Sequence, residues 1–467
     1  MSHRDQPRHI DTGSSAQDLH GAFQWILKGT DIHTLRLRRD CAFTPRGLVI
    51  TILLWVWSDE STLTHGFEAA REVARRVLRG GVPRSISYQA FMALVVRWSD
   101  PLLLVLKTAI RRRMHTSLKS HFRTAGYCVM GVDGSRLQLP RTAANAAEFA
   151  PSAAASGGSR RSRKSSTQSA TSRRKKGDGP QVWLTALWHA GTGLLWDWRI
   201  GPADSSERRH LQSMLDELPD NVLMTADAGF TGYELWQTLL DRGHEFVIRV
   251  GRNVRLLKKL GYVRESDGTV YLWPDQQARR ANPPLVLRLV VVHDGRQPWY
   301  LVTSIRNARR FSDADVADIY RQRWGVELYF RHFKQTFARR KLRSRTAAHV
   351  RCEAHWAIAG LNILLLHSLA VLHRHQIPPH RLSVAGAVRA HRRSMRWSLS
   401  ATPPEQQLEE RLAICVIDDY VRADKSSRNY PRKKYETSAR HPHIQHATPA
   451  QRSLAHQTKK TRVGLTA

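Results

Sequence analysis

The feature that most constrains this chain is an alternation of apolar runs and helix-like segments between residues 126 and 250. The run YCVMGVDGSRL comes first. QVWLTALWHA and GLLWDWRI follow, and the Gly-Thr-Gly between them is typical of an antiparallel pair. Helical patterns then alternate with two more apolar runs, NVLMTADAGF and EFVIRV. Because strands that alternate with helices pack as layers, we predict an α/β fold with a mixed sheet.

A second group of apolar runs interrupts this alternation. TVYLW, LVLRLVVV and WYLVTSI fall between about residues 252 and 305, and the last two are joined across HDGRQP. They indicate a β-rich insertion in the α/β layer. A helix starting near SDADVADIY follows, and we predict helical structure from there to about His375.

The charge balance indicates the kind of partner. The chain has 74 Lys and Arg against 39 Asp and Glu, a formal net charge of +35. Such an excess favours a polyanion, with nucleic acid first and an anionic membrane surface second. The Ser/Arg/Lys-rich segment over 150–179 is predicted to be disordered. It and the basic tail could tether a phosphate backbone or be solvated flexible segments.

The remaining segments complete the predicted organisation. Residues 45–120 are predicted to be helical, and a short Gly/Pro turn between two helices makes them a candidate DNA-binding domain, although many other bundles share the pattern. The full division is a flexible N-terminus over 1–44, this helical domain, an α/β domain over 121–375, a helical region over 376–424 and a basic flexible tail over 425–467.

Cysteine content and the apolar runs argue against other classes. The 4 cysteines form no CxxC pair, which excludes a cysteine-rich zinc module and fits a reducing cytoplasm. The first residues lack the apolar core of a secretory signal. LVITILLWVW is too short to span a bilayer, and the run after Cys352 carries Glu353, His355, Asn362 and His367. We therefore expect buried helices of a soluble, cytoplasmic protein with no membrane partner.

The stretch YRQRWGVELYFRHFK, Tyr320 to Lys334, is strongly basic and contains one acid, Glu327. On a regular helix Tyr320, Arg323, Glu327 and Lys334 share an arc of roughly 60°, with apolar residues on both sides. One interpretation is ordinary helix electrostatics, in which Glu327 pairs with Arg323 and Arg331.

Two other acids favour a second interpretation. Asp133 and Asp227 each end an apolar run, where side chains project from a sheet edge into a crevice. Asp133-Gly134 could instead form a hairpin turn, and Asp227 could cap the turn that follows it. Together with Glu327, however, they form the oxygen-ligand set that Mg²⁺ prefers, and basic neighbours would hold the substrate phosphates. A pair of ions about 4 Å apart would support displacement at phosphorus.

These residues resemble a known family. Tyr320, two residues, Arg323, three residues, Glu327, six residues and Lys334 match the Y-(2)-R-(3)-E-(6)-K signature of DDE transposases of bacterial insertion sequences, in the insertion-sequence-four family. MGVDGSRL resembles the first-aspartate strand of that family and MTADAGF the second. The β-rich insertion before the glutamate helix is similar to the family's layout.

The resemblance implies a ribonuclease H-like catalytic core with a mixed sheet and a β insertion, preceded by a helical domain. It implies a catalytic triad of Asp133, Asp227 and Glu327 that binds two Mg²⁺ ions, with Mn²⁺ as a substitute.

The resemblance also assigns DNA phosphate contacts to Tyr320, Arg323 and Lys334. Trp273 or Trp299, on the β insertion, is a candidate for stacking on an unpaired base.

The implied activity is cut-and-paste transposition. Strand ends at the terminal inverted repeats would be hydrolysed, with a hairpin intermediate, and the freed 3′-hydroxyls would attack target DNA. A homodimer would hold two ends of double-stranded DNA. Two alternatives remain open: a metal-dependent nuclease without strand transfer, and a catalytically silent DNA-binding descendant.

Overall fold

A computed structural model describes residues 15–37, 41–78, 80–151, 179–274, 282–293, 298–400, 406–417 and 441–465. The Ser/Arg/Lys-rich segment predicted to be disordered lies almost wholly outside these residues. So do the first part of the predicted flexible N-terminus and the first part of the predicted flexible tail.

Four helices come first in the chain: α1 (Ser15–Leu27), α2 (Pro45–Trp57), α3 (Leu63–Val77) and α4 (Tyr88–Ser117). The last three begin where a hydroxyl side chain accepts a hydrogen bond from the first turn; these N-caps are Thr44, Thr62 and Ser87. Helix α1 corrects the prediction of a flexible N-terminus. Leu19, Phe23 and Ile26 recur at helical spacing and are buried, so packing of one apolar face fixes this segment.

One mixed sheet of ten strands carries the rest of the fold, in the order β10-β6-β7-β8-β9-β5-β4-β1-β2-β3. Its central strands β1, β4 and β5 are parallel, and β2 runs antiparallel to both β1 and β3. The strands are β1 (Cys128–Gln138), β2 (Gln181–His189), β3 (Leu194–Gly201), β4 (Val222–Ala226), β5 (Glu245–Val250), β6 (Arg255–Lys258), β7 (Thr269–Leu272), β8 (Leu285–Val292), β9 (Trp299–Thr303) and β10 (His443–His446). The predicted mixed α/β architecture is therefore confirmed.

The β-rich insertion extends this sheet instead of forming a separate one. Strand β9 pairs antiparallel with β5, and β8, β7 and β6 follow outward. Strand β10 then pairs in parallel with β6, which corrects the prediction of a flexible tail for this part of the chain. Its pairing is long-range, and a short His-rich segment carries no local strand pattern.

Further helices cover the sheet: α5 (Ala143–Phe149), α6 (Glu207–Gln212), α7 (Tyr233–Asp241), α8 (Asp313–Gln322), α9 (Trp324–Arg331), α10 (Ala347–Arg374), α11 (Val384–Trp397), α12 (Leu408–Ala413) and α13 (Pro449–Leu465). The helix predicted to run from SDADVADIY to His375 is interrupted. Helices α8 and α9 meet at Arg323, a π-helical turn covers His332–Thr336, and a stretch without helix precedes α10.

Every polar residue noted in the apolar run of α10 has a partner. Glu353 accepts backbone hydrogen bonds from residues 343 and 344, and His355 Nδ1 lies 2.9 Å from the indole nitrogen of Trp198. Asn362 bonds to the main chain of β3, and His367 contacts a second histidine. The helix is therefore built for a protein interior that supplies those partners.

Among the residues that the structure describes, two helices, α4 and α10, are long and apolar enough to cross a membrane by length and composition alone. That is weak support for a span, since core helices pass the same test. In α10, 89% of the most apolar window is buried inside the protein, against 39% in α4.

Candidate active site

Asp133 lies within β1, not at its end. The strand continues to Gln138 and pairs with β2 on both sides of Asp133, so the hairpin-turn interpretation of Asp133-Gly134 is wrong. The parallel partner β4 has stopped by this point, since the last pair is Gly131 with Thr225. Beyond this pair β1 has no strand neighbour on the β4 side, which leaves a gap in the sheet beside Asp133. We call this gap the crevice.

Asp227 immediately follows β4. Extending the register of the last β1–β4 pair by two residues places Asp227 beside Asp133 on a neighbouring strand. The capping interpretation is correct as geometry, because Asp227 Oδ1 accepts a hydrogen bond from the Gly229 amide at 2.8 Å. The Asp133 carboxylate is held similarly, since Gly134 N donates to its Oδ1 at 2.8 Å.

Arg323 connects the glutamate helix to β1. Its Nη1 lies 3.1 Å from Asp133 Oδ2 and its Nη2 lies 3.0 Å from Glu327 Oε1, with only 12% of the side chain exposed. The pair of Glu327 with the residue four positions earlier is thus confirmed. In the part of the chain that the structure describes, no ion pair joins Glu327 to Arg331. Two of the three predicted acids share one guanidinium.

The other two signature residues lie on the same side. Lys334 Nζ donates to Ser135 Oγ at 2.6 Å, and Ser135 lies on the same face of β1 as Asp133. The Tyr320 ring lies 5.6 Å from the Arg323 guanidinium and 5.3 Å from the Trp299 ring. All four signature residues therefore surround one end of the crevice.

Burial and charge perturb these groups. Burial raises the pKa of Asp133; the Gly134 amide and Arg323 lower this pKa, and the neighbouring acids Asp227 and Glu327 raise it further. Burial lowers the pKa of Lys334, and the positive charge of Arg340 lowers it more.

The two tryptophan candidates differ in accessibility. Trp273 is 6% exposed, packs in the small apolar cluster of the insertion and donates its indole N–H to Asn282 O at 2.8 Å. Trp299 is partly exposed and lies against Tyr320. The position of Trp299 favours it over Trp273 for contact with a bound base.

Glu207 is the acid that sequence analysis missed. It opens α6, and its serine-rich start indicates only an ordinary helix beginning. In the fold its Oε1 lies 2.0 Å from the point where a Cβ on Gly134 would stand, so it packs against the residue next to Asp133, on the opposite face of β1. Burial, then the charges of Asp133 and Asp227, raise the pKa of Glu207 to about 7.

The carboxylates suit a hard divalent cation by ligand type, since Mg²⁺ and Mn²⁺ prefer oxygen donors. Their arrangement is not a closed cage: among the described residues, no group of three or more His, Cys, Asp or Glu side chains stands ready to hold a metal ion. The guanidinium of Arg323 lies between Asp133 and Glu327, where it already compensates their charge.

Comparison with known proteins agrees with this chemistry. The family model described as transposase DDE domain matches residues 124–363, just over half of the chain. A curated relative, the transposase InsG for insertion sequence element IS4 of Escherichia coli strain K12, is 29% identical over 175 residues, which are 36% of this chain and 39% of that relative. The matched part thus spans well under half of the relative's length.

A solved structure of the piggyBac transposase synaptic complex with hairpin DNA aligns over 92% of this chain and 91% of that one, with a TM-score of 0.40 and 12% identity. A score of that size does not establish a shared fold. The family match covers both aspartates, the signature residues and most of the sheet. The chain therefore belongs to the transposase DDE domain family.

Proposed function

We propose that this protein catalyses cut-and-paste transposition of an insertion sequence by metal-dependent cleavage and strand transfer at terminal inverted repeats. Asp133, Asp227 and Glu327 would be its catalytic carboxylates. The order β3-β2-β1-β4-β5, in which only β2 runs antiparallel, supports a ribonuclease H-like core.

One observation carries this proposal. Asp133 lies in β1 and Asp227 directly follows the neighbouring parallel strand β4, and Arg323 joins Asp133 to Glu327 from the facing helix. Acids that are distant in sequence would thus act together beside a cationic rim formed by Arg323 and Lys334. A phosphodiester requires both parts, since its charge must be balanced while the carboxylates hold a cation.

Two divalent ions, Mg²⁺ with Mn²⁺ as a substitute, would activate the attacking oxygen and stabilise the leaving one when bound to the three acids. The Gly134 and Gly229 amides each bind one oxygen of an aspartate, and the second oxygen of Asp133 is the one that Arg323 contacts. Lys334, held at β1 by Ser135, would bind a substrate phosphate.

Arg323 would exchange its carboxylates for phosphate when DNA enters. Its guanidinium is planar and binds either anion through paired N–H groups. In the absence of DNA it compensates Asp133 and Glu327, and on binding it would release them to a cation. Tyr320, which lies against this guanidinium, would limit its movement.

The proposed partners follow from this chemistry. They are double-stranded DNA of the terminal repeats and of the target, and a second copy of the chain in the synaptic complex. With a net charge of +35, the protein would associate with the cytoplasmic nucleoid.

The test is cleavage of DNA that carries the ends flanking this reading frame, with Mg²⁺ and the purified chain. Asp133→Asn, Asp227→Asn and Glu327→Gln should each lower the cleavage rate by about 10³-fold or more, because each removes one charged ligand without changing side-chain shape. The matched control is Glu234→Gln, an exposed acid in the first turn of α7.

A precleaved end and a target plasmid then separate the alternatives. Joined products support transposition, whereas cleavage without joining indicates a nuclease. Binding without cleavage indicates a silent descendant. Wild-type rates in all three acid variants would overturn the assignment of the site.

A further inference from the structure

Helix α4 presents an apolar stripe that no other part of the described chain covers. In its most apolar window 39% is buried, whereas 89% of the corresponding window of α10 is buried. The exposed residues along one arc of about 80° include Ala93, Arg97, Asp100, Leu104 and Thr108. Leu104, at 64% exposure, is the most exposed large apolar side chain of the helix. An exposed apolar stripe of this length indicates contact with another surface.

A groove lies beside the N-terminal half of this stripe. It has a volume of about 420 Å³, and its lining includes Cys41, Ile86, Ala90, Ala93, Leu94 and Arg97. The last four of these residues are spaced i, i+3, i+4 and i+7 on α4, which is the spacing of a hole that accepts one side chain from a facing helix. Two of the four are alanines, which allows a second helix to approach closely.

The stripe therefore carries both a projecting side chain and a hole. Leu104 lies about 16 Å along the helix axis from the centre of the hole. A two-fold contact requires this combination, because each copy must offer both parts to the other. Two antiparallel α4 helices, related by an axis near Trp98 and Ser99, would place Leu104 of each copy in the hole of the other.

The charges on the stripe match under the same axis. Arg97 and Asp100 are exposed, and they are the only charged side chains in the sequence between Tyr88 and Leu106. Among the residues that the structure describes, no ion pair holds either of them. The axis that brings Leu104 to the hole also sets Arg97 of one copy opposite Asp100 of the other, twice in each pair of helices.

The stripe is also a surface where two strongly basic copies can meet. The whole chain has a net charge of +35, whereas the segment from Tyr88 to Leu106 is neutral. A neutral apolar surface does not suit a phosphate backbone. A bilayer would have to take up the charges of both Arg97 and Asp100. A second copy of the chain satisfies the apolar and the charged groups together.

We propose that two copies of the chain associate through antiparallel α4 helices, with Leu104 of each copy in the groove of the other. The contact forms without DNA and uses none of the acids at the crevice, so it stands apart from the proposed cleavage chemistry. Because one helix from each copy supplies most of the contact, we expect a dissociation constant of about 10 μM.

The first test is sedimentation of the full chain without DNA over a range of concentrations. Leu104→Glu should weaken association by about 10²-fold or more, because each dimer contains the contact twice. It should melt as the wild type does, since Leu104 is exposed. The matched control is Ile414→Glu, which changes an apolar residue of 72% exposure at the end of α12 and should associate like the wild type.

A charge exchange tests the antiparallel arrangement. Arg97→Asp and Asp100→Arg each set like charges opposite each other, so each should weaken association about tenfold. The double variant restores opposite charges in the reverse order and should recover most of the wild-type affinity. A double variant that associates more weakly than both single variants would refute this arrangement.

Cross-linking tests the position of Leu104. Cys41 lines the groove and is half-buried, and the other three cysteines are buried. A short bismaleimide should therefore join Leu104→Cys to Cys41 of the other copy and give a covalent dimer on a denaturing gel. Adding Cys41→Ser should abolish this product, and Ile414→Cys should not form it. The same yield from Ile414→Cys would contradict the predicted contact.

The remaining outcomes identify other occupants and separate this inference from the proposed function. A wild-type chain that stays monomeric at about 100 μM would overturn the inference. Binding to vesicles of anionic phospholipid through Leu104, without self-association, would assign the stripe to a membrane instead. A chain that stays monomeric but cleaves DNA leaves the proposed function intact. A chain that dimerises through α4 while all three acid variants cleave at wild-type rates keeps this inference and removes the proposed site.

Discussion

Asn362 offers a sharp test of how the sheet edge is held. Strand β3 ends the sheet, so its outer main-chain groups have no strand partner. Asn362 on α10 takes the place of a neighbouring strand at Leu195. Leu195 N donates to Asn362 Oδ1 at 3.0 Å, and Asn362 Nδ2 donates to Leu195 O at 2.7 Å. Both residues are fully buried, so water cannot substitute for the amide.

Asn362→Leu keeps the branching of the side chain and removes both hydrogen bonds to Leu195. Each buried main-chain group left without a partner costs about 1–3 kcal/mol, so the variant should lose about 2–6 kcal/mol of unfolding free energy. A typical domain has about 5–15 kcal/mol in total, which makes the loss a large fraction of its stability.

The assay is urea unfolding followed by tryptophan fluorescence. Ser368→Ala is the matched control, since within the described parts of the chain this buried hydroxyl on α10 bonds only to Leu364 O of its own helix. Its loss should change the free energy by less than about 1 kcal/mol. If Asn362→Leu unfolds at the same urea concentration as Ser368→Ala, the proposed role of the amide in holding β3 is refuted.

Three further predictions concern pH, packing and DNA affinity. Burial lowers the pKa of His367 to about 4 and of His391 to about 3, so below pH 6.5 the unfolded chain binds more protons than the folded one. The free energy of unfolding, read from urea midpoints, should therefore fall by up to about 1.4 kcal/mol per pH unit per histidine between pH 6.5 and about 4. His391→Gln should flatten this slope. Gly325→Ala puts a Cβ 2.0 Å from Trp188 Cη2, so the helix that carries Glu327 must shift. The cleavage rate should then fall about 10²-fold in a chain that still melts cooperatively, and an unchanged rate would contradict this prediction. Lys334→Met should reduce the slope of log affinity against log salt concentration by about 1, measured by fluorescence anisotropy with labelled DNA. An unchanged slope would show that Lys334 does not contact a phosphate.

The local sequence pattern was sufficient to predict a strand or helix where the segment pairs with its neighbours in sequence. Strands β1 to β5 follow from apolar runs between turn signals, and β2 pairs with β3 across a short turn. The signature spacing from Tyr320 to Lys334 identified the helix that faces β1, although a junction at Arg323 and a π-helical turn interrupt it.

Tertiary context decided the remaining features. Asp-Gly normally favours a hairpin, yet β1 continues past Asp133 because β2 pairs with it along its length. Glu207 carries only the signal of a first-turn acid, and its position against β1 depends on Gly134, a glycine far away in sequence. Arg323 reaches Asp133 for the same reason, because no sequence spacing relates β1 to α8 and α9.

The pairing of β10 with β6 has a consequence for biosynthesis. The ribosome makes β6 long before β10, so the nascent chain exposes the outer edge of β6 while the segments around Asp133, Asp227 and Glu327 are already complete. An open strand edge is a template for pairing with other chains. Arg255 and Lys258 give that edge positive charge, which would discourage two unfinished copies from joining there until the late strand closes it.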